Sequence, residues 1–366
     1  MTGELNGLRD RLDDIDRELL QLVAERQRVV ADIGATKRAS GAMTRDFDRE
    51  REVVDLARER AAVLGVDPAV AESLMTTLIR TSLTSQEEAR VAAEGSGTGQ
   101  SVLLIGGSGK MGGWFARYFS TQGFRITVAD PRAPVFDAAH VEDWHDAGLD
   151  FDVVVVATQL GLSAVVLNEL ADAGPPGLVF DIGSLKSPLR RPLARARDAG
   201  LRIASLHPMF GPDTRLLSGR HMIFVDAGHA EATAAAKRLF AATMVERLDM
   251  SLDDHDRLIA YVLGLSHALN IAFFTALAES GEAAPKLATL SSTTFDAQLA
   301  VASQVAGESP DLYFEIQHLN EFGLHPLAAL CDATERVLAS VQSGDKEGFT
   351  RLMQAGRDYF ERRGSA

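Results

Sequence analysis

VLLIGGSGKMGGWFARYFSTQGFRITVAD, residues 102–130, reads as strand, glycine turn, helix and second strand. Val102 to Ile105 is an apolar run of strand length. Gly107, Gly109 and Gly112 then supply G-x-G-x-x-G where a helix must open, near Lys110 and Met111. Such a helix aims its free N–H groups and positive dipole end at a pyrophosphate, and glycines let the backbone come close to it. Arg125 to Ala129 returns as a second strand ending on Asp130, where a ribose hydroxyl is held. A glycine-rich turn in an ordinary α/β domain leaves that terminal acid unexplained. The carboxylate repels a 2′-phosphate, so NAD is expected rather than NADP, a preference moderated by Arg132.

Outside this unit, the bulk properties narrow the function. With 366 residues and 46% hydrophobic content the chain has room for two or three domains. A formal charge of -14 argues against nucleic-acid or anionic-membrane partners, so anionic substrates must be caught by local arginines and lysines. The one cysteine, Cys331, reads as a small hydrophobe; it excludes an internal disulfide and a cysteine-rich metal site, and it suits the cytoplasm. No metal is expected. No basic-then-apolar leader opens the chain, and apolar runs such as Val153 to Ala157 are too short to span a bilayer.

Upstream of the glycine turn the pattern is all helical. Leu5, Leu8, Leu12, Ile15, Leu19, Leu22, Val29 and Ile33 form one stripe over residues 4–38, and further helices are expected at about 46–64 and 69–89, with Asp67 as an N-cap. The Gly/Ser-rich stretch 92–100, AAEGSGTGQ from Ala92, reads as a flexible joint between domains 1–91 and 101–250. On the first helix Arg26 and Lys37 lie eleven residues apart, so they share a face about 16 Å apart along the axis and can grip one small dianion. Arg9 lies about 25 Å from Arg26 along the axis and must come from a partner chain to join that site. Asp46, Arg49 and Glu50 face one way on the second helix, as do Ser82 and Gln86 on the third.

Downstream, strands at 151–157, 178–182 and 201–206 alternate with helices at 162–173 and 187–199, the rhythm of a doubly wound sheet. Loops at the carboxyl ends of such strands face the cofactor crevice, which gathers Thr158, the Gly183-Ser184-Leu185-Lys186 turn and His207. His207, followed by Pro208 and Pro212, stands beside the nicotinamide end as a candidate base. From about Leu252 the pattern is helical to the end, a third domain over 251–366 whose aromatic and leucine positions read as core and dimer interface.

These residues carry a resemblance. The first ninety resemble the all-helical chorismate mutase domain, with counterparts for its polar site at Arg9, Arg26, Lys37, Asp46, Arg49, Glu50, Ser82 and Gln86. Residues 101–366 resemble the prephenate dehydrogenases through GGSGKMG, DIGSLK and SLHPMFGP, so the whole chain is similar to the fused chorismate mutase–prephenate dehydrogenases of tyrosine biosynthesis. The resemblance implies an intertwined homodimer with Arg9 crossing the interface. It implies that Arg9, Arg26 and Arg49 clamp carboxylates with Ser82 assisting, that Lys37 and Gln86 donate to the ether oxygen, and that Glu50 binds the ring substituent at C4. In the second half it implies His207 as base, Ser184 sharing the C4 hydroxyl, Lys186 shaping the field, and His267 contacting substrate. One departure stands out. The family carries arginines where this chain has Gln304 and Asp296, which leaves open a substitute clamp from Arg215 or Arg257, or a 4-amino-4-deoxy substrate, with or without oxidation.

Overall fold

The computed structural model describes residues 2–282, 284–290 and 292–363. The apolar stripe of the first segment becomes helix α1, Thr2–Ser40, followed by α2, Phe47–Leu64, and α3, Pro68–Glu94. Side-chain caps set both later starts: Asp46 accepts from the Arg49 N–H at 3.0 Å and Asp67 from the Ala69 N–H at 2.9 Å. Gly65 ends α2 in the left-handed region at φ 72°, which a side chain would resist.

The central layer is an eight-stranded sheet of order β3-β2-β1-β4-β5-β6-β7-β8. Its strands are β1 Ser101–Ile105, β2 Arg125–Ala129, β3 Ala139–Val141, β4 Val153–Val156, β5 Leu178–Asp181, β6 Arg202–Pro208, β7 His221–Val225 and β8 Glu246–Met250. The first six in chain order run parallel; β7 pairs antiparallel with β6 and parallel with β8, so the sheet is mixed. Helices α4 Lys110–Thr121, α5 Leu160–Ala173, α6 Arg190–Asp198 and α7 Ala230–Arg238 cover it. Alternate strand residues feed two cores: Val102, Leu104, Val155 and Phe180 join Phe115 and Phe240 on one face, while Leu103, Val154 and Val179 join Leu167 and Leu193 on the other. This is the Rossmann-type arrangement that the glycine turn foretells. Strands β3, β7 and β8 escape the sequence reading, β3 because it is short and largely exposed, β8 because its ERLDM pattern resembles a polar connection.

Two expectations change. The stretch 92–100 is no flexible joint: α3 runs through Glu94, Gly97 donates to the Gln122 carbonyl at 3.1 Å, and a Cβ on Gly97 would stand 2.2 Å from Phe124 Cδ2. Its glycines serve close approach rather than freedom. The second change concerns Leu252–Glu279, which forms 28 residues of continuous helix, long and apolar enough to cross a membrane by length and composition. It comprises α8 Leu252–Ile259, a π-helical turn over Ala260–Leu265, and α9 Ser266–Glu279, and it packs against later helices of the same chain. Those are α11 Thr293–Ala306, α12 Pro310–His318 and α13 Leu324–Ser343; α10 Ala284–Thr289 precedes them, and α14 Lys346–Arg363 packs on α13. The molecule is thus a helical N-terminal domain, a Rossmann-type domain and a helical C-terminal domain.

Candidate active sites

The glycine turn borders a cavity of ≈ 650 Å³ whose walls include Gly106, Gly109, Asp130, Trp144, Thr158 and Glu169. Gly106 has φ +82°, and a Cβ on Gly112 would meet the Gly106 carbonyl at 2.4 Å, so the turn closes only with glycine at both places. Gly107 is crowded less tightly, by Val128 Cγ1 at 2.9 Å and the Leu104 carbonyl at 3.0 Å. No side chain caps α4 at Gly109, which leaves the helix N–H groups for an anion. Asp130 is pre-set by two backbone donors, Ser108 N–H at 3.2 Å and Arg132 N–H at 3.0 Å. Glu142, Asp143 and Glu169 add negative charge to the cavity wall, which reinforces discrimination against a 2′-phosphate. These features fit an NAD molecule. Thr158 is held by Ser163 at 2.9 Å, whereas Met111 packs into the core and Lys110 reaches across to Glu308 at 3.1 Å.

At the end of β6 His207 is buried, and its Nδ1 lies 2.9 Å from His255 Nε2; His255 Nδ1 in turn lies 2.6 Å from Asp256 Oδ1. Asp256 also accepts from the backbone N–H groups of Lys186 and Ser187. An ionised carboxylate only accepts, so the chain of bonds assigns protons: His255 donates from Nδ1 and accepts at Nε2, His207 donates from Nδ1, and His207 Nε2 keeps its lone pair. Burial, helped by His255 and Lys186, holds the His207 pKa well below 6.5, so the imidazole is neutral. Burial alone would raise the Asp256 pKa, but donors from His255, Ser187 and Lys186 together bring it below the ordinary range. Lys186 itself is fully buried, with Nζ 2.5 Å from Asp181 Oδ1 and 2.7 Å from the Leu206 carbonyl. It therefore reaches the site as a field rather than as a contact, and burial lowers its pKa against the pull of Asp181.

Ser184 Oγ and His267 Nδ1 are buried without a protein partner among the described residues, as groups awaiting a polar ligand must be. The His267 ring lies 4.1 Å from that of Tyr313, and burial lowers its pKa. The C-terminal helices also reach the nucleotide domain, where Glu315 accepts from the Leu160 and Gly161 N–H groups at 3.2 Å each and so caps α5. Gln304 and Asp296 are exposed on α11, the helix that leads to Glu308 and hence to Lys110. Arg215 is bound by Glu88 of α3 at 2.9 Å, and Arg257 is exposed and pairs with Asp254, so each already has a carboxylate partner.

In the helical N-terminal domain Arg26 Nη1 donates to Ser82 Oγ at 2.6 Å and Gln86 Nε2 to the Val30 carbonyl at 3.4 Å. Both pairs are separated by 56 residues, so α1 and α3 run side by side in one direction at this point. Lys37 Nζ donates to the Thr44 carbonyl at 2.9 Å, and burial lowers the Arg26 pKa. Glu50 is held by Arg45 at 2.9 Å, while Arg49 is exposed and pairs with Glu52 at 2.6 Å, and Asp46 serves as the α2 cap. Arg9 stays on the exposed part of α1, seventeen residues and about 25 Å from Arg26. Sequence reasoning missed five further residues: Arg45, His255 and Asp256 look like ordinary solvated helix charge within TRDFDRE and LDDHDR, while Asp181 at the end of β5 and Glu315 within PDLYFEIQH show their roles only through the Lys186 and Leu160–Gly161 partners that the fold brings to them.

Comparison with known proteins matches these parts in order. Residues 8–87 match chorismate mutase type II, 117–246 the prephenate dehydrogenase nucleotide-binding domain, and 251–355 the prephenate dehydrogenase dimerization domain. The chain is 27% identical to the T-protein of Enterobacter agglomerans over 364 residues, 98% of this chain and 94% of that protein. It is 28% identical to the 4-amino-4-deoxyprephenate dehydrogenase of Streptomyces pristinaespiralis, over 68% of this chain and 88% of that one. A crystal structure of prephenate dehydrogenase from A. aeolicus, in complex with hydroxyphenyl propionate and NAD+, superposes with a TM-score of 0.55 at 17% identity over 72% of this chain and 98% of that one, which shows a shared fold. With mutase, nucleotide-binding and dimerization segments in one chain, in the order of a T-protein aligned almost end to end, the chain belongs to the bifunctional chorismate mutase–prephenate dehydrogenase family.

Proposed function

We propose that this chain rearranges chorismate to prephenate and oxidises prephenate with NAD to 4-hydroxyphenylpyruvate and CO₂, with His207 as the base of the second reaction. The observation that carries this is the buried His207–His255–Asp256 series ending at a neutral imidazole near the end of β6, in the same sheet whose β1 leads into the glycine turn. NAD, when bound, accepts the hydride that leaves ring C4. His207 Nε2 takes the C4 hydroxyl proton, and Ser184 shares that hydroxyl. The C4 carbonyl then forms, the ring carboxylate leaves as CO₂ with its bonding pair passing through the ring to the C4 oxygen, that oxygen takes back the proton held by His207, and aromatisation drives the step. His255 and Asp256 keep His207 in the accepting tautomer and spread the charge it gains.

The mutase half needs no nucleophile or cofactor, only a site that holds the reactive conformer and stabilises charge on the ether oxygen. Arg26, Arg49 and Ser82 bind carboxylates, and Lys37 and Gln86 face the ether oxygen. Arg9 enters from the partner in a homodimer. Support for that dimer comes from α1, whose Leu5, Leu8, Leu12, Ile15 and Leu19 are exposed, and from an apolar groove between α2 and α3 lined by Val53, Leu56, Val70 and Leu74. We place the domain boundaries at 1–91, 101–250 and 251–366 with a connecting segment 92–100, and the protein in the cytoplasm, which the solitary Cys331 suits. Gln304 and Asp296 favour one second reading, 4-amino-4-deoxy substrates. Product analysis with chorismate and its 4-amino analogue, each with and without NAD⁺, tests both: 4-hydroxyphenylpyruvate formed from chorismate only with NAD⁺ is the expected result, and a higher kcat/KM for the amino series would overturn it.

A further inference from the structure

Arg45 has no part in the roles assigned above, yet each of its three guanidinium nitrogens donates a hydrogen bond. Nε donates to Glu50 Oε1 at 2.9 Å, Nη2 to Glu50 Oε2 at 3.0 Å, and Nη1 to Ser218 Oγ at 2.7 Å. The guanidinium carbon also lies 4.1 Å from the centroid of the Phe47 ring. Two parallel bonds from one planar fork fix both the position and the plane of the Glu50 carboxylate. Ser218 belongs to the connection from β6 to β7, the chain that leaves His207. The residue before Arg45 is also held by cationic side chains: Lys37 donates to the Thr44 carbonyl, and Arg90, paired with Glu94 at 3.0 Å, reaches Thr44 Oγ at 3.5 Å.

We infer that Arg45 is a positioning residue that sets the specificity of the mutase for a hydroxyl over an ammonium at ring C4, and that it takes its own position from the dehydrogenase loop through Ser218. The inference rests on the mutase reading above, in which Glu50 meets the C4 substituent. An unpaired carboxylate attracts an ammonium by charge. Once both its oxygens are bridged by a guanidinium, the pair is close to neutral as seen from the ligand, and an ammonium gains little from it while the Arg45 charge opposes it. A hydroxyl asks only for one remaining lone pair, which a carboxylate with two oxygens still offers.

The experiment measures mutase kcat/KM for chorismate and for 4-amino-4-deoxychorismate with the full-length wild type, Arg45→Ala, Arg45→Lys and Ser218→Ala. Dehydrogenase turnover of supplied prephenate in each variant reports folding. Arg45→Ala is expected to lower kcat/KM for chorismate by about tenfold or more and to leave or raise that for the amine, so the ratio moves by about one to two decades, the value of a charge-assisted contact. Arg45→Lys keeps charge without the fork and should lie between. Ser218→Ala, which touches no substrate, should move the ratio the same way by about 2–5-fold, the worth of one hydrogen bond. Equal losses on both substrates in Arg45→Ala and Arg45→Lys, or a Ser218→Ala ratio identical to wild type, overturn the inference alone. A wild type that prefers the amine overturns it as well, and a wild type without chorismate turnover overturns the mutase reading beneath it. Should Arg45→Ala fail to fold, the Arg45→Lys and Ser218→Ala ratios decide.

Discussion

In the proposed reaction the oxidative half depends on His207 Nε2, whose lone pair is left free because His207 Nδ1 donates to His255. His207→Asn keeps a polar side chain of similar size but no basic nitrogen; NAD binding should persist while hydride transfer falls by about 10²–10⁴-fold, read from stopped-flow reduction. Wild-type turnover in that variant would reduce His207 to a structural loop residue. The pH dependence follows from its depressed pKa. The neutral form is required, so activity is lost as pH falls through that pKa; because burial sets it well below 6.5, the acid limb of kcat/KM for prephenate should lie below 6.5. The same shift opposes folding in acid, since below 6.5 the unfolded chain takes a proton that buried His207 refuses. Gln304 argues differently, from a contact that is missing. If the absent arginine limits prephenate use, Gln304→Arg should raise kcat/KM by about tenfold or more, given about 1.4 kcal/mol per decade. An unchanged value means another group already holds the carboxylate.

Among the elements, the segment 95–100 and helix α3 set how the two halves meet. Glu87 of α3 is buried, accepts from the Leu217 N–H at 2.7 Å and from the Met244 N–H, and has its pKa raised by burial. Arg215 adds an exposed pair with Glu88, worth little by itself. The mutase helix is therefore docked on the nucleotide domain rather than tethered to it. Gly97→Ala tests this directly. Its Cβ would stand 2.2 Å from the Phe124 ring and 2.6 Å from the Phe124 nitrogen, so the segment or the ring must move, and the midpoint of urea unfolding should drop by an amount equivalent to about 1–3 kcal/mol. A loose joint would tolerate the methyl group, and an unchanged midpoint would refute the docking. Gly/Ser content could not distinguish these cases, because glycine serves both freedom and close approach and only the neighbouring Phe124 tells which.

For the whole molecule, the question is what the second copy supplies. Mixing Arg9→Ala with Arg26→Ala protein under exchange conditions should restore mutase activity to about a quarter of wild type, because half the dimers are mixed and each carries one intact site in an isologous pair. No recovery would place Arg9 and Arg26 in one chain's site or in none. By itself the sequence determined the three helices of the first domain, the glycine turn, the five parallel strands β1, β2, β4, β5 and β6, and the helical end. Each rests on local periodicity, capping residues and chain-order motifs within a few turns of helix or one strand crossover. It also brought Arg26, Lys37, Ser82 and Gln86 into view by helical spacing, and Ser184 and His207 by their strand ends. Only the tertiary structure decided that His255 and Asp256 stand behind His207, that Lys186 is turned inward onto Asp181, and that Arg45 joins Glu50 to Ser218. Partners separated by 48 or 173 residues carry no periodicity in common, and a charged residue destined for burial looks the same in sequence as one that stays in water until packing removes the water around it.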